Sequence, residues 1–387
     1  LMRAIGGGTL PDVVVGEQYV RTYVINQHFE AVDIGDVEII ESAKAVGQMD
    51  GEWYAVPAWT GSLSLCVNKY VLRESGVIDM RTDEPTEEFL SAMAAAGRNR
   101  DTIDPLAPAT WEDLLAICRY IKNYYNTEDQ TDNSDCGGIL MCNAKEGSSW
   151  RALGVMRTAG GEIGVDDHAV LNKDPYREPN LKAFEMMREL AKTAPSRTLQ
   201  GVIGDDLWNK FLNGYAAYIF DGTDIPSKTY SGAYPNIEPE DLVCSELPVF
   251  EEDGKKSNVM VGTGYYSVTK TSKNKEGATA FIRYLLRDDV QIKLMETDMR
   301  IPVVQDVFDS DELKALDNYD VLQSYMAPFA DSEYKFDGGI PSWSLQTAKP
   351  SVIWEAWDTM IDEILVGTGN IATAVATAQQ AMEKNGV

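Results

Sequence analysis

The segment 49–69 restricts the possible folds of this chain more than any other stretch of its sequence. It opens with the turn dipeptide Asp50-Gly51, followed by a short β-rich run at 53–56 that Pro57 is expected to end. In residues 62–67, small side chains (Ser, Ser, Cys) alternate with larger apolar ones (Leu, Leu, Val). This is the period of a strand with two different faces. On these residues alone, the segment is either a simple hairpin or a connection that carries the chain from one lobe to another.

The length of the chain and its alternating pattern predict an α/β protein with more than one domain. At 387 residues the chain exceeds what a single hydrophobic core usually supports, so two domains are expected. Helical and β-rich segments alternate, which favours mostly parallel sheets flanked by helices. Thr110 and Asn180 are the predicted first residues, or caps, of two helices. The predicted strands are 12–15 and 216–220, and the predicted helices are 84–100, 110–124, 180–191, 205–213, 278–286, 350–366 and 371–384.

The charge of the chain argues against two classes of partner. Its 34 basic residues are outnumbered by 61 acidic ones, and the formal net charge is -27. Nucleic-acid binding needs a basic face that neutralises phosphates, and an anionic membrane repels an acidic surface, so neither partner is expected. The apolar runs are only a few residues long, and neither a membrane-spanning segment nor a signal peptide is predicted.

The sequence has no recognisable set of catalytic, cofactor-binding or metal-binding residues. The two histidines, His28 and His168, lie in unrelated segments. There is no Gly-x-Ser-x-Gly elbow, no His-Glu-x-x-His zinc motif and no phosphate loop ending in Gly-Lys-Ser/Thr. An acidic loop at 132–135 does not match the spacing of a calcium loop. We therefore expect no catalytic residue, no metal and no cofactor.

The five cysteines are an odd number, so at least one thiol is expected to be free. Only Cys136 and Cys142 have a spacing that suits a local disulfide or a metal, and zinc would need closer pairs and usually histidine. Burial as small hydrophobic residues is the favoured interpretation. The cysteines are Cys66, Cys118, Cys136, Cys142 and Cys244.

Several segments together resemble extracellular solute-binding proteins of the maltose-binding type, the substrate receptors of ATP-driven sugar importers. Within 50–69, the order of Asp-Gly, Tyr-Ala-Val-Pro, an alternating strand and Asn-Lys resembles the first crossing between lobes in these proteins. Five other segments resemble family motifs in the family's order: 4–15 (a Gly-rich run ending in Pro-Asp-Val-Val-Val), 108–114 (Pro-Ala-Thr-Trp-Glu-Asp-Leu), 211–219 (Phe-Leu-Asn-Gly-Tyr-Ala-Ala-Tyr-Ile), 272–278 (Ser-Lys-Asn-Lys-Glu-Gly-Ala) and 300–303 (Arg-Ile-Pro-Val). Because the matches extend over nearly the whole chain, it is identified as a member of this family.

The resemblance implies a two-lobed α/β fold of the periplasmic-binding-protein-like type II, with two mostly parallel sheets flanked by helices and three hinge crossings. The first lobe is expected to hold residues 1–61 and 263–303, and the second lobe residues 65–258 and 308–387. The hinges are expected near 62–64, 259–262 and 304–307. Family members begin with a strand and a helix that have no counterpart in this sequence, so the first lobe is expected to lack them here.

The resemblance also implies a sugar-binding site in the cleft. Such a site needs flat aromatic rings for the apolar C–H face of a pyranose, and carboxylates, amides or arginine for its hydroxyls. Side chains of both kinds lie near the predicted cleft, beyond strand ends, beside the crossings or on nearby helices. The predicted ligand-binding residues are Glu17, Gln18, Tyr19, Trp59, Trp150, Arg151, Asp221, Asp224, Tyr265, Trp343 and Trp354.

As a function, the resemblance implies a non-catalytic receptor that closes two lobes on a carbohydrate and delivers it to the membrane subunits of an ABC permease. An oligosaccharide is favoured over a monosaccharide because the candidate aromatic residues are spread over many segments. The protein is expected to be an extracellular monomer, lipid-anchored at a bacterial cell surface or located in the periplasm. Two alternatives stay open: a carbohydrate-active enzyme, and a binding protein for another solute such as a polyamine or a phosphate ester.

Overall fold

The computed structural model describes two larger sheets, two short two-stranded ladders and the helices around them. The residues that it describes are 7, 10–17, 20–25, 27–126, 136–141, 151–165, 168–195, 204–259, 262–331, 333–334 and 350–386. The strands are β1 (Val13–Gly16), β2 (Gln48–Met49), β3 (Glu52–Trp53), β4 (Val56–Trp59), β5 (Ser64–Asn68), β6 (Gly137–Leu140), β7 (Gly164–Val165), β8 (His168–Ala169), β9 (Ala216–Asp221), β10 (Leu242–Ser245) and β11 (Gly264–Val268).

The α-helices vary in length from 4 to 16 residues. They are α1 (Val20–Ile25), α2 (Lys44–Gly47), α3 (Lys69–Glu74), α4 (Glu87–Ala95), α5 (Trp111–Tyr125), α6 (Ala152–Thr158), α7 (Arg177–Ala191), α8 (Gly204–Leu212), α9 (Asp224–Tyr230), α10 (Lys275–Leu285), α11 (Asp288–Asp298), α12 (Gln305–Phe308), α13 (Asp311–Lys314), α14 (Tyr319–Ala330), α15 (Pro350–Leu365) and α16 (Ile371–Lys384). Among the described residues, none of these helices is both long and apolar enough to cross a membrane.

Each of the two larger sheets brings together strands from distant parts of the chain. In the first sheet the order is β1-β11-β4, and both pairs are antiparallel. In the second sheet the order is β10-β5-β9-β6, and only β6 and β9 run parallel. The prediction of mostly parallel strands is therefore wrong for the described sheets. An alternation of helices and strands predicts parallel pairing only between strands that are consecutive in the chain. In both larger sheets, the paired strands are not consecutive.

The segment 49–69 connects the two sheets. Asp50 and Gly51, both with positive φ (54° and 83°), form the tight turn between β2 and β3. Strand β4 runs through Pro57 instead of ending there, because β4 lies at the edge of its sheet, where a missing N–H is tolerated. The chain then enters the second sheet as β5, an inner strand. All five residues of β5 are buried, so its two faces are both covered.

Three connecting segments lie side by side between the sheets. Thr60 exchanges backbone hydrogen bonds with Ile301 (2.9 and 3.2 Å), and its hydroxyl lies 3.0 Å from the hydroxyl of Thr263. The amide of Leu63 donates to Oδ1 of Asn258 (3.0 Å), and Nδ2 of Asn258 donates to the Leu63 carbonyl (2.8 Å). These contacts lie at or near the positions predicted as hinges. The division into two lobes at these points stays a prediction.

Local capping defines the ends of several helices as the sequence predicts. The hydroxyl of Thr110 accepts a hydrogen bond of 3.1 Å from the amide of Asp113 and caps α5. Helix α8 stops before Gly214, whose φ of 81° suits glycine at the end of a helix. The apolar face of α5 packs in one cluster with α7, α15, α16 and the second sheet. That cluster is the largest apolar core among the described residues.

Helix α7 differs from the prediction at its start. It begins at Arg177, three residues before the predicted cap Asn180. Asn180 is buried inside the helix, where Nδ2 donates to the carbonyls of Glu162 (2.9 Å) and Leu171 (3.0 Å). Its Oδ1 accepts from the amide of Glu162 (3.0 Å). The side chain therefore fastens a neighbouring segment to the helix, a tertiary role that the local sequence does not reveal.

Candidate ligand-binding site

A pocket of about 320 Å³ lies where the ends of β1 and β4 meet the start of β11 and the loop after β9. Its walls thus come from the first sheet, from two connecting segments and from the loop that leaves an inner strand of the second sheet. The volume is near the lower end of the range of small-molecule sites, about 300–1,000 Å³. The lining residues are Val15, Gly16, Glu17, Trp59, Asp224, Gly262, Thr263, Gly264 and Arg300.

Trp59, a predicted site residue, is held in place from several sides. Its Nε1 donates to the carbonyl of Gly262 (2.9 Å), and its ring meets Tyr266 edge-on at 5.6 Å between centroids. The guanidinium of Arg300 lies 5.6 Å from the ring centroid, within the range of a cation–π contact. Glycine at 264 is required because a Cβ there would stand 2.4 Å from the indole. The aromatic wall of the pocket is therefore pre-formed.

Two carboxyl groups from different sheets line the same pocket. Glu17 follows β1, and Asp224 is the first residue of α9, after β9. Burial raises the pKa of Glu17 from its ordinary value of 4.5, the charge of Asp224 raises it further, and Arg300 lowers it. Burial also raises the pKa of Asp224, with the charge of Asp221 adding to the effect and Arg300 opposing it. Glu17 keeps more than a third of its surface exposed, so partial desolvation within the pocket acts on it rather than complete enclosure.

Asp221, another predicted site residue, is buried at the end of β9 and does not line the pocket. Its Oδ1 lies 2.8 Å from a guanidinium nitrogen of Arg151, and the two residues are 1% and 5% exposed. The same carboxylate accepts hydrogen bonds from Nε1 of Trp208 (2.6 Å) and from the amide of Gly222 (2.7 Å). Asp221 and Arg151 thus hold the start of the loop that leads to Asp224, the first residue of α9.

Two residues of this region were not among the predicted contacts. Arg300 lines the pocket, and the sequence points to it through its place in the segment 300–303, just before the third predicted hinge. Trp208 is partly buried against an apolar cluster, and Nζ of Lys228 lies 4.9 Å from its ring centroid. Its role depends on the hydrogen bond to Asp221, which joins a helix to a strand and has no local sequence pattern.

Tyr265, another predicted ligand contact, does not line this pocket, and its role at a ligand stays a prediction. Its side chain is fully buried, and its hydroxyl donates to the carbonyl of Ala43 (3.3 Å). Successive residues of a strand point to opposite faces, so Tyr266 is the residue whose ring reaches Trp59. The sequence alone does not show which of these two tyrosines faces Trp59.

The remaining predicted residues do not add to the described pocket. Trp354 is partly buried against the apolar cluster around the second sheet and does not line the pocket. Four predicted contacts lie outside the described residues: Gln18, Tyr19, Trp150 and Trp343. The same holds for Cys142, whose spacing from Cys136 suits a local disulfide or a metal, and for the acidic loop at 132–135. Within the described part of the chain, no group of three or more His, Cys, Asp and Glu residues is arranged to hold a metal ion.

The fold is that of the two-lobed periplasmic solute-binding proteins, as comparison with solved structures shows. The GacH receptor of Streptomyces glaucescens, solved without ligand and with acarbose, aligns over 99% of this chain and 85% of its own, with a TM-score of 0.73 and 18% identity. An ABC transporter solute-binding protein of Thermotoga lettingae bound to alpha-D-tagatose aligns over 99% and 87%, with a TM-score of 0.74 and 21% identity. UgpB from Mycobacterium tuberculosis, in complex with glycerophosphocholine, aligns over 99% and 85%, with a TM-score of 0.72 and 13% identity. At these identities the similarity establishes the fold and not the ligand.

The family follows from the sequence itself. The family model described as bacterial extracellular solute-binding protein matches residues 1–320. The chain belongs to this family, and the resemblance inferred from its segments is confirmed. A search of curated protein sequences gives no significant match.

Proposed function

We propose that this protein is a non-catalytic receptor that binds a carbohydrate in the pocket at Trp59 and delivers it to the membrane subunits of an ABC importer. The observation that carries the proposal is the position of Glu17 and Asp224, which come from different sheets and line one pocket beside Trp59. The indole offers an apolar surface to the C–H face of a sugar, and the carboxylates accept hydrogen bonds from its hydroxyls. Membership of the extracellular solute-binding family supports this role, as do the complexes of GacH with acarbose and of the Thermotoga protein with tagatose.

The two carboxylates also suggest how binding would favour a closed form. Without ligand, the negative charges of Glu17 and Asp224 repel each other across the pocket. A ligand whose hydroxyls bridge both groups stabilises the arrangement in which they lie close together. The population of the closed form then rises in proportion to the difference in ligand affinity between the two forms. Delivery to a permease follows from membership of the family and not from the pocket.

An oligosaccharide remains the proposed ligand rather than a single sugar. The predicted aromatic contacts Trp59, Trp150, Trp343 and Trp354 come from widely separated segments, which suits a ligand with several rings. The described pocket would then bind one unit of that ligand.

A small cationic solute is the second candidate. Two carboxylates beside an aromatic ring are a recognised arrangement for an ammonium group, and the net charge of -27 attracts cations to the whole protein. The complex of UgpB with glycerophosphocholine, a zwitterion, shows that this fold also binds a ligand with a quaternary ammonium group. Arg300, which lies beside the ring of Trp59, argues for the carbohydrate because its positive charge repels a cationic ligand and not a neutral one.

Calorimetric titration of the purified protein would separate the candidates, with oligosaccharides, monosaccharides, polyamines and glycerophosphocholine as probes. We expect binding of an oligosaccharide, which is recovered unchanged after incubation. Trp59→Ala should weaken its affinity by about 10–100-fold, because loss of a buried aromatic contact removes about 1.5–3 kcal/mol. Tyr215→Ala is the matched control, since Tyr215 is an aromatic residue that is 42% exposed and does not line the pocket. Binding of cations alone would favour the second candidate, and turnover of a bound glycan would overturn the receptor role.

A further inference from the structure

Two cysteines that are far apart in the sequence face each other in the second sheet. Strands β5 and β10 are antiparallel neighbours, and their register pairs Cys66 directly with Cys244. The two Sγ atoms are 3.7 Å apart, and both thiols are free in this structure. Cys118 is buried in α5, away from this pair of strands.

The position of the two strands suits a disulfide. Residues directly opposite each other in an antiparallel pair have Cα atoms about 4.5–5.5 Å apart, and a disulfide accommodates about 4.4–6.8 Å. The backbones of Cys66 and Cys244 therefore already stand at a bonding separation. Only the Sγ atoms have to approach, from 3.7 Å to a bond length of about 2.05 Å, which side-chain rotation can accomplish.

The two thiols differ in access to solvent, which gives them different roles in such a reaction. Cys66 is fully buried, and burial together with the neighbouring Cys244 raises the pKa of its thiol. Cys244 is partly exposed, so an external reagent reaches it first. Cys244 is therefore the thiol that reacts with a reagent from solvent. Cys66 is the shielded thiol that completes the exchange.

The pair also lies close to the loop that carries the candidate site. The hydroxyl of Tyr325 is 3.0 Å from Sγ of Cys66 and 3.8 Å from Sγ of Cys244. The same hydroxyl lies 3.2 Å from the carbonyl of Gly222, to which it donates. Gly222 directly follows Asp221 at the end of β9. The hydroxyl of Tyr325 thus connects the two thiols to Gly222, in the loop that leads to the pocket.

We propose that Cys66 and Cys244 are a redox-active pair that closes into a cross-strand disulfide by exchange with an external disulfide of the glutathione class. The thiol of Cys244 loses its proton and attacks the external disulfide, which forms a mixed disulfide and releases one glutathione thiolate. Cys66 then loses its proton and attacks Sγ of Cys244, which releases the second thiolate. Both released thiolates take up protons, so the protein loses two electrons and two protons, and the reagent gains them. Extracellular proteins meet the oxidising conditions under which such bonds persist.

Peptide mapping of the full chain after incubation with oxidised glutathione tests this proposal. The expected product has two fewer free thiols than the untreated protein. Its tryptic digest should contain the segments 45–69 and 229–255 as one linked species, because each holds a single cysteine of the pair. Reduction should separate the two segments and restore the thiol count. This measurement does not depend on the ligand, so it is independent of the proposed function.

Three variants make the assignment specific. Cys66→Ser is expected to stop at a mixed disulfide with glutathione on Cys244, and Cys244→Ser is expected to lose no thiol from the pair. Cys118→Ala, which removes a buried cysteine outside the pair, should still form the linked species. An unchanged thiol count in the wild-type protein, or a linkage that maps to other cysteines, would overturn the proposal without any need for the variants.

Discussion

Replacing Gly264 by alanine would test whether close contact with β11 fixes the indole of Trp59 in the pocket. A Cβ at this position would stand 2.4 Å from Cζ2 and 2.5 Å from Cε2 of the ring. Because carbon atoms pack best at about 3.5 Å or more, the ring would have to move by about 1 Å. That movement would break the 2.9 Å hydrogen bond from Nε1 to the carbonyl of Gly262. We expect Gly264→Ala to lower the free energy of unfolding by about 1–3 kcal/mol, the range for overpacking.

A double-mutant cycle with Trp59→Phe isolates this contact. The phenyl side chain is shorter than the indole and leaves room for the new Cβ, so Gly264→Ala should cost much less in the Trp59→Phe background. Urea unfolding of the four proteins should then give a coupling energy of about 1–2 kcal/mol. Titration with the ligand should show a parallel loss of about tenfold in affinity when Gly264→Ala is introduced into the wild-type protein. Equal destabilisation by Gly264→Ala in both backgrounds would refute the reasoning.

Two further predictions concern the charges around the pocket. Glu17→Gln should stabilise the ligand-free protein at neutral pH, because burial and the charge of Asp224 disfavour the ionised carboxylate. A pKa raised on folding makes wild-type stability fall as pH rises from 4.5 through the folded-state pKa, so urea unfolding should show no advantage of the variant below pH 4.5. Arg151→Met should lower the free energy of unfolding by about 3–5 kcal/mol, because Asp221 is left charged and buried. Arg119→Met, which breaks an exposed ion pair, should change it by less than about 1 kcal/mol, and equal losses for the two arginines would contradict this account.

The elements that the sequence predicted best are those whose ends depend on nearby residues. The last helix was predicted at 371–384 and spans those residues in the structure. The cap of α5 at Thr110 and the end of α8 before Gly214 also follow from residues within one helical turn. Family membership was predictable for a similar reason, since each matching segment is a short local pattern and their order adds to the specificity.

The predictions that failed depend on contacts between distant segments. Asn180 is a residue type that often caps helices, but here it lies buried inside α7. Its side chain donates hydrogen bonds to a neighbouring segment instead. The sequence also does not show whether Tyr265 or Tyr266 faces Trp59, because only the packing of the sheet decides it. The direction of the strands likewise depended on pairing between segments that are not consecutive.

The sequence by itself determined the α/β class, the boundaries of many elements and the family, because periodicity, capping and motif order are properties of short segments. Only the tertiary structure decided which side chains meet. Glu17 and Asp224 share a pocket, and Cys66 and Cys244 face each other, because strands from opposite parts of the chain pair in the two sheets. The pairing of such strands depends on how the whole core packs. A pattern within one short segment does not specify it.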